Sequence, residues 1–366
     1  MRFVCSKAHH CYLFFDMFSK SVALSCIISA TTDDAPTIFG SEIINRINNE
    51  VKLTQLTMPI LEKILTPLQK SFRDRNYDLE FLQQEVELRL AEIALCERDG
   101  SWNTEEEKLD LAVSRQVYQI LDYFCVAINS GQFDDENSDT GEIASVATKA
   151  DIHTIENLFG HVTQSGGRRT DTLVRAKEVS GGNVHYVECS ANEHKPLHVG
   201  QATLMQQSKK VVRINRSILA RSGSKDTAVY IDAHGLSGKI YGIRLIEDIY
   251  GSSSTLGKIC LPSNKFEMDE FLSGTSLLNL FRYRAHMVGF AEVLLKRARD
   301  RLHTPPSSPS LKPTTPSFFA YKKASVRGYW LNFHQATFAS TGSKTKTGGD
   351  SSTGAKYRKL VVVELG

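Results

Sequence analysis

Residues 166–195 read GGRRTDTLVRAKEVSGGNVHYVECSANEHK, and residues 201–219 read QATLMQQSKKVVRINRSIL. In the first stretch two runs with strand composition, 172–179 and 184–190, flank Ser180-Gly181-Gly182-Asn183. That tetrad is a turn sequence, so the spacing predicts a β-hairpin. Along the second run Tyr186, Glu188 and Ser190 fall on one face, and His185, Val187 and Cys189 on the other. The second stretch predicts a helix over 201–221, with Leu204, Val211, Ile214 and Ile218 as its apolar stripe. Gln206, Lys210, Arg213 and Ser217 form a polar ridge on the same helix.

Further along, 227–233 and 239–246 read as a strand pair joined by His234-Gly235-Leu236-Ser237-Gly238, and 256–261 as another strand. A long helix is expected over 268–302. Towards the N-terminus, Ser41 is a candidate N-cap for a helix carrying Ile43, Ile44, Ile47 and Val51. Ile60, Leu61, Ile64, Leu65 and Leu68 make one stripe, with Pro59 and Pro67 marking breaks or helix starts. Amphipathic helices are expected over 77–96 and 105–130. The acidic run 131–142 (GQFDDENSDTGE) reads as a loop, and a short helix over 149–161 follows. The expected organisation is a poorly structured leader (1–40), a helical region (41–130), a linker (131–148), an α/β core (149–302) and a Pro/Ser/Thr-rich tail (303–366) with terminal strands near 326–333 and 360–365. Strand, strand, helix, strand after a helical start places the chain in the α/β (α+β) class.

The 366-residue chain is 41% apolar and 23% charged, and its net charge is +3. The charge is unevenly spread: between Gly166 and Lys225 stand eleven Lys or Arg against four acids, which suits a polyanionic partner. A solvated helix face is the plain alternative. Seven cysteines at irregular spacing do not resemble a disulfide framework, so an intracellular setting, nuclear or cytoplasmic, is expected. Cys5, His9, His10 and Cys11 lie close together, but no second ligand pair follows at zinc spacing. Arg2 and Lys7 before an apolar stretch offer a secretory signal as a competing reading of the leader, although Asp16 and Lys20 interrupt it. No run reaches eighteen apolar residues, so no membrane span is expected.

The hairpin carries the candidate chemistry. Asp171 opens its first strand and Glu188 lies inside its second. Two neighbouring carboxylates offer hard oxygen ligands to Mg²⁺, with positions left for water and phosphate. Arg168 and Arg169 are placed to hold a phosphate, and Lys209, Lys210 and Arg213 to follow a nucleic-acid backbone. Other readings stay open. Asp171 can cap a turn or pair with Arg168 or Arg169, Glu188 can pair with Lys210, and Asp232 can be a strand-end residue without a role.

With Asp171, Glu188 in the next strand and a Gln/Lys helix after it, the run resembles the PD-(D/E)XK nuclease core. It is also similar to a family of uncharacterised fungal proteins sharing a G-R-R-x-D stretch, an E-x-S-x-N-E-x-K stretch and a Q-Q-x-K-x-x-R-I-N helix. That likeness covers about residues 166–219, with a fainter echo at Ser41-Glu42 and Pro59-Ile60-Leu61. The resemblance implies a restriction-endonuclease-like α/β core and Mg²⁺-dependent phosphodiester hydrolysis of nucleic acid. Asp171 and Glu188 would hold the metal, Lys195 or Lys210 assist a water, and Arg168, Arg169 and Gln206 position phosphate. The sequence departs from the pattern where Ser190 stands two residues after Glu188 in place of Lys, and where Thr170 stands in place of Pro. Glu193-His194-Lys195 has the right letters but lies past the expected strand end, just before Pro196, and a residue before proline is usually extended. The alternatives are a catalytically inactive nucleic-acid-binding module of the same fold and a protein-interaction scaffold.

Overall fold

A computed structural model of the chain describes residues 27–31, 34–131, 143–150, 168–180, 183–247 and 249–303. The Cys5–Cys11 cluster, the signal-like leader, most of the helix expected over 149–161, Gly166 and Gly167, the Pro-rich segment and both terminal strands lie outside these residues.

Strand β1 (Ile27–Ser29) leads into helices α1 (Ala35–Phe39), α2 (Ser41–Glu50), α3 (Pro59–Asp74), α4 (Leu79–Asp99) and α5 (Glu105–Asn129). Local chemistry sets the ends of these helices. Asp78 caps α4 by accepting the Phe81 N–H at 3.1 Å. At α5 the Thr104 hydroxyl accepts from Glu107 N–H at 3.1 Å, and the Glu107 carboxylate accepts from Asn103 N–H at 2.6 Å, close to a capping box. Pro59 occupies the first turn of α3, as expected, but Pro67 sits inside that helix and does not break it. Lys63, whose carbonyl the missing N–H would have met, lies with Pro67 on the exposed face, so water replaces the lost bond.

The short strands β2 (Ile143–Ala144) and β3 (Arg169–Thr170) pair with each other, and a helical turn at 146–150 follows β2. The hairpin β4 (Thr172–Ser180) and β5 (Asn183–Lys195) leads into α6 (Gln201–Ser222), which crosses to β6 (Ala228–His234). Then come β7 (Ser237–Ile246), β8 (Ile249–Ser252), β9 (Gly257–Cys260), α7 (Lys265–Phe271) and α8 (Thr275–His303). The main sheet has the order β1-β8-β7-β6-β5-β4, with β9 also on β7. β5/β6 and β1/β8 are parallel and the other pairs antiparallel, so the chain is a mixed α/β structure with a mixed sheet.

Several boundaries differ from the sequence reading. Ile27–Ser29 and Ala35–Phe39, inside the expected leader, are ordered, because β1 finds the edge of β8. Ile143–Ala144 and the turn at 146–150 replace the end of the expected linker. The helix expected over 268–302 is two helices, broken at Gly274, whose φ of +85° favours glycine. Most consequential, β5 runs five residues beyond 190, to Lys195.

Four apolar clusters hold the elements. Ala147, Leu173 and Ala191 pack against Ile214 and Ile218 of α6, while Val174, Ala176 and Cys189 join Tyr283, Met287 and Phe290 of α8, so the two helices cover opposite faces. Helices α3, α4 and α5 share a core with Met268, Phe271 and Phe281. Helix α2 seats Ile44, Ile47 and Val51 against Ile246 and Ile249.

Candidate functional site

The site forms where β5 and β6 run side by side. These strands pair over only three residues, Glu193 with Asp232, His194 with Ala233 and Lys195 with His234. Beyond that the strands are bridged by side chains: the Ser190 hydroxyl donates to Val229 O (2.7 Å), and Asn192 Oδ1 accepts from Ile231 N–H (2.7 Å). Asn215 of α6 accepts from Ala191 N–H (3.0 Å) and donates to Ala191 O (2.8 Å).

Asp171 stands just ahead of β4, beside the end of β5. Its Oδ2 accepts the His194 backbone N–H at 2.8 Å and lies 3.4 Å from Lys195 Nζ. The same ammonium lies 3.6 Å from Glu193 Oε2, and Lys210 Nζ of α6 lies 2.9 Å from Glu193 Oε1. The Glu193 side chain is 0% exposed. Among the described residues no neutral donor reaches either of its oxygens, so only ammonium groups compensate it. Burial, and secondarily the Asp171 charge, push its carboxyl up to about 7, with Lys210 and Lys195 pulling it back.

Asp232, the register partner of Glu193, lies close by. Gln207 and Ser208 of α6 both donate to its carboxylate, and Gln207 Nε2 also donates to Ala233 O at 3.1 Å. Burial raises the Asp232 pKa against the lowering effect of those hydrogen bonds. The other amide atom of Gln207, Oε1, is buried without a hydrogen-bond partner among the described residues.

The structure thus brings Asp171 and Lys195 together, with Lys210 joined to them through Glu193, and Glu188 is not among them. Glu188 lies five residues back along β5, roughly 15 Å at the usual rise of a strand. Its carboxylate accepts from Ser145 Oγ (2.9 Å), Val146 N–H (2.7 Å) and Ala147 N–H (3.0 Å), with Arg175 at 3.7 Å. It caps the helical turn at 146–150, so the structure does not bring this expected metal ligand and catalytic residue beside Asp171, and Glu193 stands there instead. Of the readings left open, Lys210 pairs with Glu193, where one alternative had placed Glu188. The expected alternation also fails at one point. Val174 pairs with Ser190 and Arg175 with Glu188, so Cys189 is an extra residue, and this bulge returns Ala191 and Glu193 to the α6 face.

On α6 the buried glutamine of the site is Gln207, and Gln206 is exposed. Lys209 and Arg213 are partly buried on the same helix. Burial lowers the Arg213 pKa, and the neighbouring Arg168 charge lowers it further. The Arg168 backbone N–H donates to Thr148 Oγ1 at 2.8 Å, and Arg169 is exposed on β3.

Among the described residues no three His, Cys, Asp or Glu side chains converge as a metal site. Two carboxylates, Asp171 and Glu193, face the one ammonium of Lys195 at 3.4 and 3.6 Å, and a Mg²⁺ ion held by them would complete its shell with water and phosphate oxygens. The buried oxygens of Glu193, without neutral donors, suit such an ion. No described helix is long and apolar enough to cross a membrane. Comparisons of the chain with protein-family models, with curated proteins and with solved structures returned no match.

Proposed function

We propose that the chain is a nuclease-like protein with a restriction-endonuclease-like, PD-(D/E)XK-type core, acting in Mg²⁺-dependent phosphodiester hydrolysis. The observation that carries this reading is the placing of Lys195 against both Asp171 and Glu193 on one strand end. Asp, Glu-x-Lys is the order the resemblance asks for, with Glu193 in place of Glu188. Asp171 and Glu193 would hold the ion, which supplies Lewis-acid polarisation of a phosphoryl oxygen when bound. Lys195 would orient an attacking water by donating from its ammonium to the water oxygen, the water's proton passing to bulk solvent. Lys209, Lys210, Arg213, Arg168 and Arg169 meet the phosphates of DNA or RNA as backbone contacts.

One observation favours a second reading, an inactive nucleic-acid-binding module of the same fold. The Glu193 side chain is closed off from solvent and charge-matched by two lysines, as a structural ion-pair network would be. Purified chain incubated with Mg²⁺ or Mn²⁺ and plasmid or single-stranded nucleic acid separates the two. The nuclease reading expects nicking that falls by at least about a hundredfold in Asp171→Ala and Lys195→Met, each still folded and unfolding cooperatively at the assay temperature. Salt-sensitive binding without any cleavage supports the inactive module instead.

A further inference from the structure

We infer that Lys210 is a displaceable internal cation, filling the place of a divalent ion at Glu193 until a polyanion draws it out onto the basic ridge of α6. The inference rests on the metal-site reading above and adds its regulation.

Asp171 and Glu193 bring two negative charges and Lys195 and Lys210 two positive ones, and Asp232 on the next strand adds a negative charge that Lys195 also feels. A dication added with both lysines in place would leave a positive excess beside a side chain with no access to water. Charges in such surroundings are weakly screened, so an ion enters readily only as an ammonium leaves. The two lysines are not equivalent in this respect. Lys195 stands on the same strand as Glu193 and touches both carboxylates. Lys210 reaches in from α6, the helix that carries the basic ridge; the two side chains are similarly exposed (23% and 27%), and the flexible four-carbon stem of Lys210 can carry its ammonium toward that ridge without moving the backbone.

Outside the cluster, Lys209 precedes Lys210 and Arg213 follows one turn on. Arg168 lies close enough to Arg213 for the two cations to disfavour each other, burial aside. A swung-out Lys210 would add to this crowding, which a chain of phosphates relieves. Polyanion and dication should therefore bind with positive coupling, each raising the affinity of the other by the same factor. Metal loading would then be confined to chains already carrying nucleic acid.

The test is Mn²⁺ binding, followed through the free-ion electron paramagnetic resonance signal on the full chain, with no cleavage assay. Lys210→Gln is expected to bind Mn²⁺ about tenfold or more tightly than the wild type, and Glu193→Gln more weakly. Lys195 still faces Glu193 in Lys210→Gln, and a melting curve confirms its fold. In the wild type, a saturating phosphorothioate oligonucleotide should tighten Mn²⁺ binding by a comparable factor once its own Mn²⁺ uptake is subtracted. If Lys210→Gln does not fold, this titration decides alone. Mn²⁺ binding that responds neither to loss of Lys210 nor to the oligonucleotide overturns the inference and leaves the metal site standing. Absence of Mn²⁺ binding from every form of the chain overturns both.

Discussion

Glu188 and Glu193 show how far a five-residue step separates two acids of one strand. Glu188 meets backbone N–H groups at 2.7 and 3.0 Å and a hydroxyl at 2.9 Å, the environment of a helix cap. Among the described residues Glu193 meets ammonium groups and no neutral donor, the environment of a cation site. Glu188→Ala should therefore cost about 2–3 kcal/mol in a urea unfolding curve, as three charge-assisted hydrogen bonds are lost, and leave any metal affinity unchanged. Glu193→Gln should show the converse in metal binding. The candidate site was half legible in the sequence. Asp171, Lys195 and Lys210 stand out by type and spacing, and Pro196 signals that the strand continues to its end. The bulge at Cys189 was not legible, since it comes from packing between β4 and β5, and it sets which acids share a face. Gln207 was hidden for a related reason. Gln206 and Gln207 both reach the same turn of α6, and only the position of Asp232 on a strand distant in sequence selects between them.

At the scale of elements, helices with strong periodicity were read nearly to the residue, because caps and apolar stripes are local. The misses are elements made by contact. Strands β1 and β8, three and four residues long, owe their pairing to neighbours remote in the chain. Pro67 was read as a break or a start because its exposed placement depends on what α3 packs against. The seat of α2 is another contact that sequence does not announce. A Cβ on Gly242 would come within 2.5 Å of Val51 Cγ1 and 2.9 Å of Thr227 Cγ2, and one on Gly251 within 2.8 Å of Ile47 Cγ1. Gly242→Ala should push α2 off the sheet and cost about 1–3 kcal/mol, read as a lower melting temperature with unfolding still cooperative.

Across the whole molecule, His286 of α8 ties the sheet to the segment leading into α3. Its Nε2–H donates to Thr227 O at 2.8 Å, leaving Nδ1 to accept from the Thr54 backbone N–H at 3.3 Å and hydroxyl at 3.0 Å. Burial lowers its pKa below the ordinary 6.5, only partly offset by the Thr227 carbonyl and Asp226. The unfolded chain then binds the proton more readily, so this contribution to stability is whole above about pH 6.5 and is lost as the pH falls further. Thermal unfolding across that range should show a declining melting temperature on the acid side, flattened in His286→Gln.

The three-residue ladder between β5 and β6 makes a zip with very few teeth in the middle of an otherwise continuous sheet. On one side of it lie Asp171, Glu193 and Lys195, all carried by the β4–β5 hairpin or its entry, and on the other lies Asp232. Unzipping there would carry the first three away as an intact group and part them from the fourth. Breathing along this short ladder would thus leave the carboxylate–lysine trio assembled and loosen only the floor beneath it.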